Sequence, residues 1–194
     1  MGYNVRVGVS NKHLHLTEKD LVILFGQGSK LTPFKGLVQP GQFASEEKVD
    51  IVGPRGVLKG VRIIGPTRPK TQVEISITDA YVLGIYVPVR ESGKLEGTPG
   101  IKLIGPAGEL DIPEGVMVAM RHIHLSPSEA EEAGLKNRDL VDVYTFGERP
   151  LIFQDVLIRS GDAHKREFHV DMDEANAAGI KNGEKVELSG PKAG

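Results

Sequence analysis

Two copies of a short histidine motif are the residues of this chain best suited to chemistry. Lys12-His13-Leu14-His15-Leu16 stands near the start, and Arg121-His122-Ile123-His124-Leu125 stands beyond the middle. Successive side chains of a strand point to opposite faces, so the two histidines of each copy share one face. Two imidazoles on one strand face can converge on a metal ion. The two copies hold four of the six histidines in the chain, and this repetition favours metal binding over chance.

Two pairs of histidines do not complete a metal site, so further ligands are needed. His169 lies between Phe168 and Val170, and this alternation points its ring away from the apolar side of a predicted strand. His164 lies in a polar run and is the alternative, less favoured candidate. Glu74 lies on the polar face of another predicted strand and is the candidate carboxylate. Such ligands suit zinc, cobalt or iron, with an open position for catalysis.

A turn-rich loop before Glu74 adds a candidate anion-binding residue. Arg68 lies between Pro66 and Pro69, so its guanidinium is expected to be held in place. An arginine held beside a metal ion suits an oxyanion or a phosphate group. The sequence has no P-loop, no GxGxxG motif and no Ser-His-Asp signature, so an acyl-enzyme mechanism is not indicated.

The segments that must position these residues have the pattern of short strands with few helices. Alternating apolar residues predict strands at 5–10, 48–52, 57–64 and 72–78, among others. Helices are predicted to begin after Thr17 and Ser126, each of which suits an N-cap and precedes acidic residues. Turn signals recur every eight to twelve residues or so, which indicates an all-β barrel or sandwich with short capping helices.

Composition and charge exclude several classes of protein. The 194 residues carry 24 Lys and Arg against 26 Asp and Glu, so no basic surface for nucleic acid or an anionic membrane is expected. Cysteine is absent, which excludes disulfides, thiolate ligands and a cysteine nucleophile. No run of about 18 apolar residues and no signal-like segment occurs. We therefore expect a cytoplasmic protein with neither a membrane nor a nucleic-acid partner.

Four motifs in order resemble the PduL-type phosphotransacylases, or phosphate propanoyltransferases. They are Val7 to Leu16, Gly65 to Arg68 with Gln72 to Ser76, Arg121 to Leu125, and His169 to Ala177. The resemblance implies two β-barrel domains with the second inserted into the first. Residues 1–11 plus 120–190 would form the first domain and residues 12–119 the second, with the metal site between them. It also implies an enzyme that exchanges a short acyl group, acetyl or propanoyl, between coenzyme A and inorganic phosphate.

The resemblance assigns roles to single residues. Two divalent metal ions, most commonly zinc, would be held by two sets of side chains: His13, His15 and Glu74, and His122, His124 and His169. Only the first set contains a carboxylate, so the second site is expected to be electrically neutral and the stronger Lewis acid. Arg68 would bind phosphate and act in catalysis. The residues near coenzyme A would be Gly8, Val9, Ser10, Arg62 and Asn176.

The resemblance has consequences for assembly and location, and two other functions stay open. A homodimer is implied. Members of the family that enter bacterial microcompartments carry an amphipathic N-terminal extension, and none is visible before the first predicted strand, so a free cytosolic role in acetate metabolism is expected. The alternatives are a cupin-like metal-dependent oxygenase and a non-catalytic metal-binding protein.

Overall fold

The computed structural model describes residues 3–191, which form a mostly β protein with short helices. The strands are β1 (Tyr3–Ser10), β2 (His13–His15), β3 (Pro33–Gly36), β4 (Phe43–Val52), β5 (Val57–Gly65), β6 (Gln72–Glu74), β7 (Val89–Arg90), β8 (Ile101–Ile104), β9 (Glu109–Ile112), β10 (Val116–Ala119), β11 (His122–Leu125), β12 (Leu140–Tyr144), β13 (Ile152–Ser160), β14 (Glu167–Asp171) and β15 (Lys185–Leu188). The helices are α1 (Glu18–Phe25), α2 (Ile77–Leu83), α3 (Pro127–Glu132) and α4 (Met172–Ala178). No helix among these residues is long and apolar enough to cross a membrane. Residues 1 and 2 of the expected first domain lie outside the described part.

One compact unit is a closed barrel of six strands. It takes the described residues up to Ser10, the short segment Val38–Pro40, and the described residues from Met120 onward. The strand order is β1-β14-β11-β13-β12-β15, and β1 completes the ring by pairing with both β14 and β15. Apolar side chains fill its interior, among them the fully buried Phe168 and Ile158.

The other compact unit, Asn11–Leu37 with Gly41–Ala119, is a curled sheet that forms a half-barrel. Its strand order is β7-β10-β6-β2-β5-β4-β8-β9, with β3 beside β4. Its own apolar core includes the fully buried Ile63 and Leu103. The predicted all-β fold of barrel type with short capping helices is confirmed.

The aliphatic residues of both histidine motifs anchor their strands to these cores. Leu14 and Leu16 are 0% exposed, and so are Ile123 and Leu125. Slippage by one residue would turn every side chain of such a strand to the opposite face, so burial of these residues fixes the register. The predicted separation of histidines from aliphatic residues on each strand is confirmed.

One predicted strand is too long, because a helix cap interrupts it. The expected strand over 72–78 ends at Glu74, and α2 begins at Ile77, whose side chain is 62% exposed rather than in the core. The Ser76 hydroxyl accepts a hydrogen bond from the backbone N–H of Asp79, whose carboxylate in turn accepts from the N–H of Ser76. This reciprocal capping box satisfies helix donors that a continued strand would not expose.

Ser76→Ala should therefore lower the free energy of unfolding by about 1 kcal/mol, the usual value of an N-cap hydroxyl. Urea denaturation of the variant and the parent protein measures the difference. Ser76→Thr keeps a hydroxyl at this position and should recover most of the loss. Equal stability of Ser76→Ala and the parent would contradict the role of the cap.

Candidate metal-binding site

The first candidate site lies on the face of β2 that carries His13 and His15. In the antiparallel pair of β2 with β6, Glu74 lies directly opposite His13. One possible ligand atom from each of these three side chains lies within 4.8 Å of the others. The Glu74 carboxylate is 3.5 Å from Nε2 of His13 and 3.9 Å from Nε2 of His15. These donors suit a divalent ion of the zinc class.

Backbone carbonyls orient both imidazoles of this site. Nδ1 of His13 lies 2.8 Å from the carbonyl oxygen of Asn11, and Nδ1 of His15 lies 3.0 Å from that of Ile64. A carbonyl oxygen only accepts, so each Nδ1 carries the hydrogen and donates it. The lone pair then sits on Nε2, the ring nitrogen that faces Glu74, as metal binding requires.

The electrostatics of the site favour the forms of His15 and Glu74 that can bind a metal ion. Burial is the main cause that lowers the pKa of His15 to about 3, and His13 and Arg68 add to the effect. Burial raises the pKa of Glu74, but His13, His15 and the Ser92 hydroxyl outweigh it, and this pKa falls to about 2. At neutral pH His15 is therefore neutral and Glu74 is ionised.

A hydrogen-bond network that the sequence did not reveal supports Glu74. The side-chain amide of Gln72 donates to the Glu74 carboxylate and, over 2.8 Å, to the hydroxyl of Ser92. Ser92 donates to the same carboxylate over 2.9 Å, and the N–H of Gly93 donates to Gln72 Oε1. Gln72 precedes Glu74 by two residues and shares its strand face, a signal that was present in the sequence. Ser92 is distant in sequence and gave none.

The second candidate site repeats this arrangement in the barrel unit. His169 lies directly opposite His122 in the antiparallel pair of β14 with β11. His122, His124 and His169 each offer a possible ligand atom within 4.8 Å of the others. Nδ1 of His122 lies 2.8 Å from the carbonyl oxygen of Met120, so its lone pair also sits on Nε2.

The histidine nitrogens of the second site fit a bound cation. Nε2 of His122 and Nε2 of His124 lie only 3.0 Å apart, both buried. Within residues 3–191, Nδ1 of His124 is buried without a hydrogen-bond partner. Burial lowers the pKa of His124 well below its usual value, and the neighbouring histidines lower it further. Imidazole nitrogens that converge at this distance are an arrangement that a divalent ion can bind.

Two further side chains border the second site. The ring of His164, the less favoured candidate from the sequence, lies 4.2 Å from that of His124, centre to centre, so this half-buried side chain is a neighbour of the site. Glu167 Oε2 lies 2.6 Å from Nε2 of His169. Burial raises the pKa of Glu167, but its hydrogen bond with His169 outweighs this and the pKa is lowered. Glu167 thus places a negative charge beside a cluster whose three possible ligands are all imidazoles, and the sequence analysis did not anticipate this charge.

Both sites are built by the same sequence pattern. In each unit a basic residue directly precedes the first histidine of the motif. It forms an ion pair with an acidic residue that belongs to a helix capping box. That acid lies five positions after Glu74 or His169, which are the third possible ligands of the two clusters. Lys12 Nζ lies 2.8 Å from Asp79, and Arg121 lies 2.9 Å from Glu174. The third ligand precedes the N-cap of the next helix by two residues in both halves: Glu74 with Ser76, and His169 with Asp171.

Arg68 belongs to the half-barrel unit and acts on the first site. Its backbone N–H donates to the carbonyl oxygen of Leu16 over 2.8 Å, which ties the loop to the end of the histidine motif. Its positive charge contributes to the lowered pKa of both His15 and Glu74. The role of Arg68 in phosphate binding and catalysis stays a prediction.

The residues expected near coenzyme A lie in different surroundings. Gly8, Val9 and Ser10 lie on β1 next to β14. Asn176 is exposed on α4. Arg62 lies on β5 opposite His13, with its guanidinium 4.6 Å from the ring of Phe34 and bonded to the carbonyl oxygen of Ser45. A role in coenzyme A binding stays a prediction for all of them.

The lowered pKa of His15 makes a prediction for the stability of the metal-free protein. Unfolded histidine takes up a proton below about pH 6.5, whereas folded His15 does so only near pH 3, so stability must fall as the pH decreases. Between pH 6.5 and 5 we expect a contribution of about 1.5 kcal/mol from this residue. Urea denaturation in a chelator should give a shallower pH dependence for His15→Gln than for the parent. Parallel curves would contradict the assignment.

The sequence of the chain also matches known proteins over most of its length. Residues 6–181 match the family model described as phosphate propanoyltransferase. A phosphate propanoyltransferase of Thermotoga maritima is 56% identical over 181 residues, which cover 93% of this chain and 86% of that protein. The enzyme of that name from Salmonella typhimurium is 50% identical, over 92% of this chain and 85% of its own length. A phosphate propanoyltransferase of Rhodopseudomonas palustris is 49% identical, over 96% of this chain and 82% of that protein. The chain belongs to the phosphate propanoyltransferase family, and it is a phosphotransacylase.

Proposed function

We propose that this enzyme transfers a short acyl group, acetyl or propanoyl, between coenzyme A and inorganic phosphate at a site with two divalent metal ions. The observation that carries the proposal is the presence of two ligand clusters of the same construction, each with three donors within 4.8 Å of one another. Zinc is the favoured ion, because imidazole and carboxylate donors suit it and no cysteine is present.

The two clusters would each hold one ion. His13, His15 and Glu74 form the first, and His122, His124 and His169 form the second. Three protein donors leave a position for a substrate oxygen or for water. A bound ion would supply Lewis acidity to the thioester carbonyl, which develops negative charge when it is attacked.

Arg68 would hold the phosphate nucleophile. Its charge already acts on His15 and Glu74, so an anion bound to it would lie beside the first cluster. The planar guanidinium can bind two phosphate oxygens at once, which orients one of the other two for attack. Holding both substrates in place removes much of the entropy cost of a bimolecular reaction.

The transfer itself would be direct. A phosphate oxygen forms a bond to the thioester carbonyl carbon, and the carbon–sulfur bond then breaks with its electron pair remaining on sulfur. Coenzyme A leaves as a thiolate and needs little help from an acid, because the pKa of a free thiol is only about 8.5. The reverse reaction forms the thioester from acyl phosphate. Without cysteine in the chain, no thiol of the protein is available to carry the acyl group.

Removal of metal should abolish this activity and leave the fold intact. Acetyl phosphate and coenzyme A are supplied to the full chain, and the thioester formed is measured by its ultraviolet absorbance. A chelator-treated sample should lose activity, and zinc or cobalt should restore it in proportion to the metal bound, up to two ions per chain.

The same assay tests direct transfer and the alternative of a different function. Initial rates are measured at varied concentrations of both substrates. Double-reciprocal plots of these rates should give intersecting lines, because both substrates must be bound to the enzyme at the same time. Parallel lines or an isolable acyl-enzyme would contradict direct transfer. Full activity of the metal-free protein would contradict the metal site.

Arg68→Ala should impair the use of phosphate far more than the binding of acyl-CoA. Loss of a charged hydrogen bond costs about 1.5 to 3 kcal/mol, so the KM for phosphate should rise by about 10- to 100-fold. Arg68→Lys keeps the positive charge but loses the two-point contact with phosphate. Its KM for phosphate should therefore lie between those of the parent and Arg68→Ala. Arg55→Ala removes an exposed arginine of the same unit and is the matched control. Equal losses for both substrates would exclude the assigned role of Arg68.

A further inference from the structure

A carboxylate lies against the third histidine of the second cluster. Glu167 and His169 are two residues apart on β14, so their side chains share one face of the strand. Glu167 Oε2 lies 2.6 Å from Nε2 of His169, slightly shorter than most charge-assisted hydrogen bonds between nitrogen and oxygen. A carboxylate only accepts, so Nε2 of His169 carries the hydrogen of this bond.

The neighbouring strand leaves room for this carboxylate. Gly8 of β1 pairs with His169 of β14, and a Cβ atom at Gly8 would lie 2.7 Å from the carboxyl carbon of Glu167. That distance is too short for a side chain at position 8 while Glu167 keeps its position. The glycine thus permits the contact between Glu167 and His169.

A buried glutamine holds the carboxylate from the other side. The Gln39 side chain is 3% exposed, and its amide donates to Glu167 Oε2 over 3.1 Å and to the carbonyl oxygen of Lys165 over 3.0 Å. Its own Oε1 accepts from the N–H of Lys165 over 3.2 Å. The segment Val38–Pro40 is accordingly part of the barrel unit although its neighbours in sequence are not. Hydrogen bonds from His169 and Gln39 therefore both hold the Glu167 carboxylate.

We propose that Glu167 is a positioning residue that sets the tautomer of His169, so that His169 binds its metal ion through Nδ1. His13, His15 and His122 have the opposite arrangement, because a backbone carbonyl occupies Nδ1 in each and the lone pair sits on Nε2. A carboxylate at the second ring nitrogen also makes an imidazole a better ligand. The inference rests on the proposed metal-dependent function.

Nuclear magnetic resonance of the full chain loaded with zinc tests the tautomer. Long-range correlations between ring protons and nitrogens of labelled histidine identify the nitrogen that keeps its proton, and His169→Asn assigns the signals. The expected result is a protonated Nε2 and a metal-bound Nδ1 for His169. Metal bound at Nε2 of His169 would overturn the proposal.

Zinc affinity, measured without any substrate by competition with a chromophoric chelator, tests the positioning role. Glu167→Ala should weaken the binding of one of two zinc ions by about 10- to 100-fold and leave the affinity for the other unchanged. Glu167→Gln keeps an acceptor oxygen and should lose less. Gly8→Ala keeps the Glu167 carboxylate but displaces it, so this variant should also weaken the binding of the same zinc ion.

Glu184→Gln, at an exposed position of the same unit, is the control and should match the parent. A parent protein that binds two zinc ions, with both Glu167 variants equal to it, would overturn this inference alone. A parent protein that binds no zinc would overturn the proposed function together with the inference.

Discussion

Both candidate sites depend on one constraint, the antiparallel register between a histidine strand and the strand of its third ligand. His13 is paired with Glu74, and His122 with His169. Cα atoms of residues paired in this way lie about 4.5 to 5.5 Å apart, so two side chains on one face meet without any loop to position them. Burial of the intervening aliphatic residues prevents a slip of register, which would send the ligands into the core. Packing of the two cores therefore sets the geometry of the ligands.

The elements around each pair reinforce the register in the same way. The third ligand is followed by a helix whose capping box supplies an acid, and that acid holds the basic residue next to the histidine motif. These ion pairs are partly exposed, so each contributes at most about 1 kcal/mol to stability. Their larger effect is local, because each connects the residue before a histidine strand to the helix that follows the neighbouring strand. The same construction in both halves indicates an internal repeat.

Alternation within single segments was predictable, whereas pairing between distant segments was not. The opposite faces of the histidine strands followed from the alternation of apolar and polar residues, and the strands predicted over 48–52 and 57–64 lie within β4 and β5. Five pairings in residues 3–191 are parallel and join segments distant in sequence, which no local pattern reports. The end of β6 was missed because the capping box at Ser76 prevailed over an apolar alternation. The grouping of the candidate ligands into two sets was inferred from the family resemblance. No local sequence pattern indicated that Gln39 and Ser92 would contact the two carboxylates.

The position of the two carboxylates bears on how the clusters would differ in Lewis acidity. Glu74 faces the Nε2 atoms of His13 and His15 directly, at 3.5 and 3.9 Å. Glu167 reaches only one ring of the second cluster, at the nitrogen opposite the one that we assign to metal binding. Coulomb energy falls with distance. The charge of Glu167 therefore reduces the Lewis acidity of a bound ion less than the charge of a directly coordinated carboxylate would. Under the proposed function, Glu167 thus reduces the difference in Lewis acidity expected from the ligand types but does not reverse it, so we still expect the cluster of three histidines to hold the stronger Lewis acid.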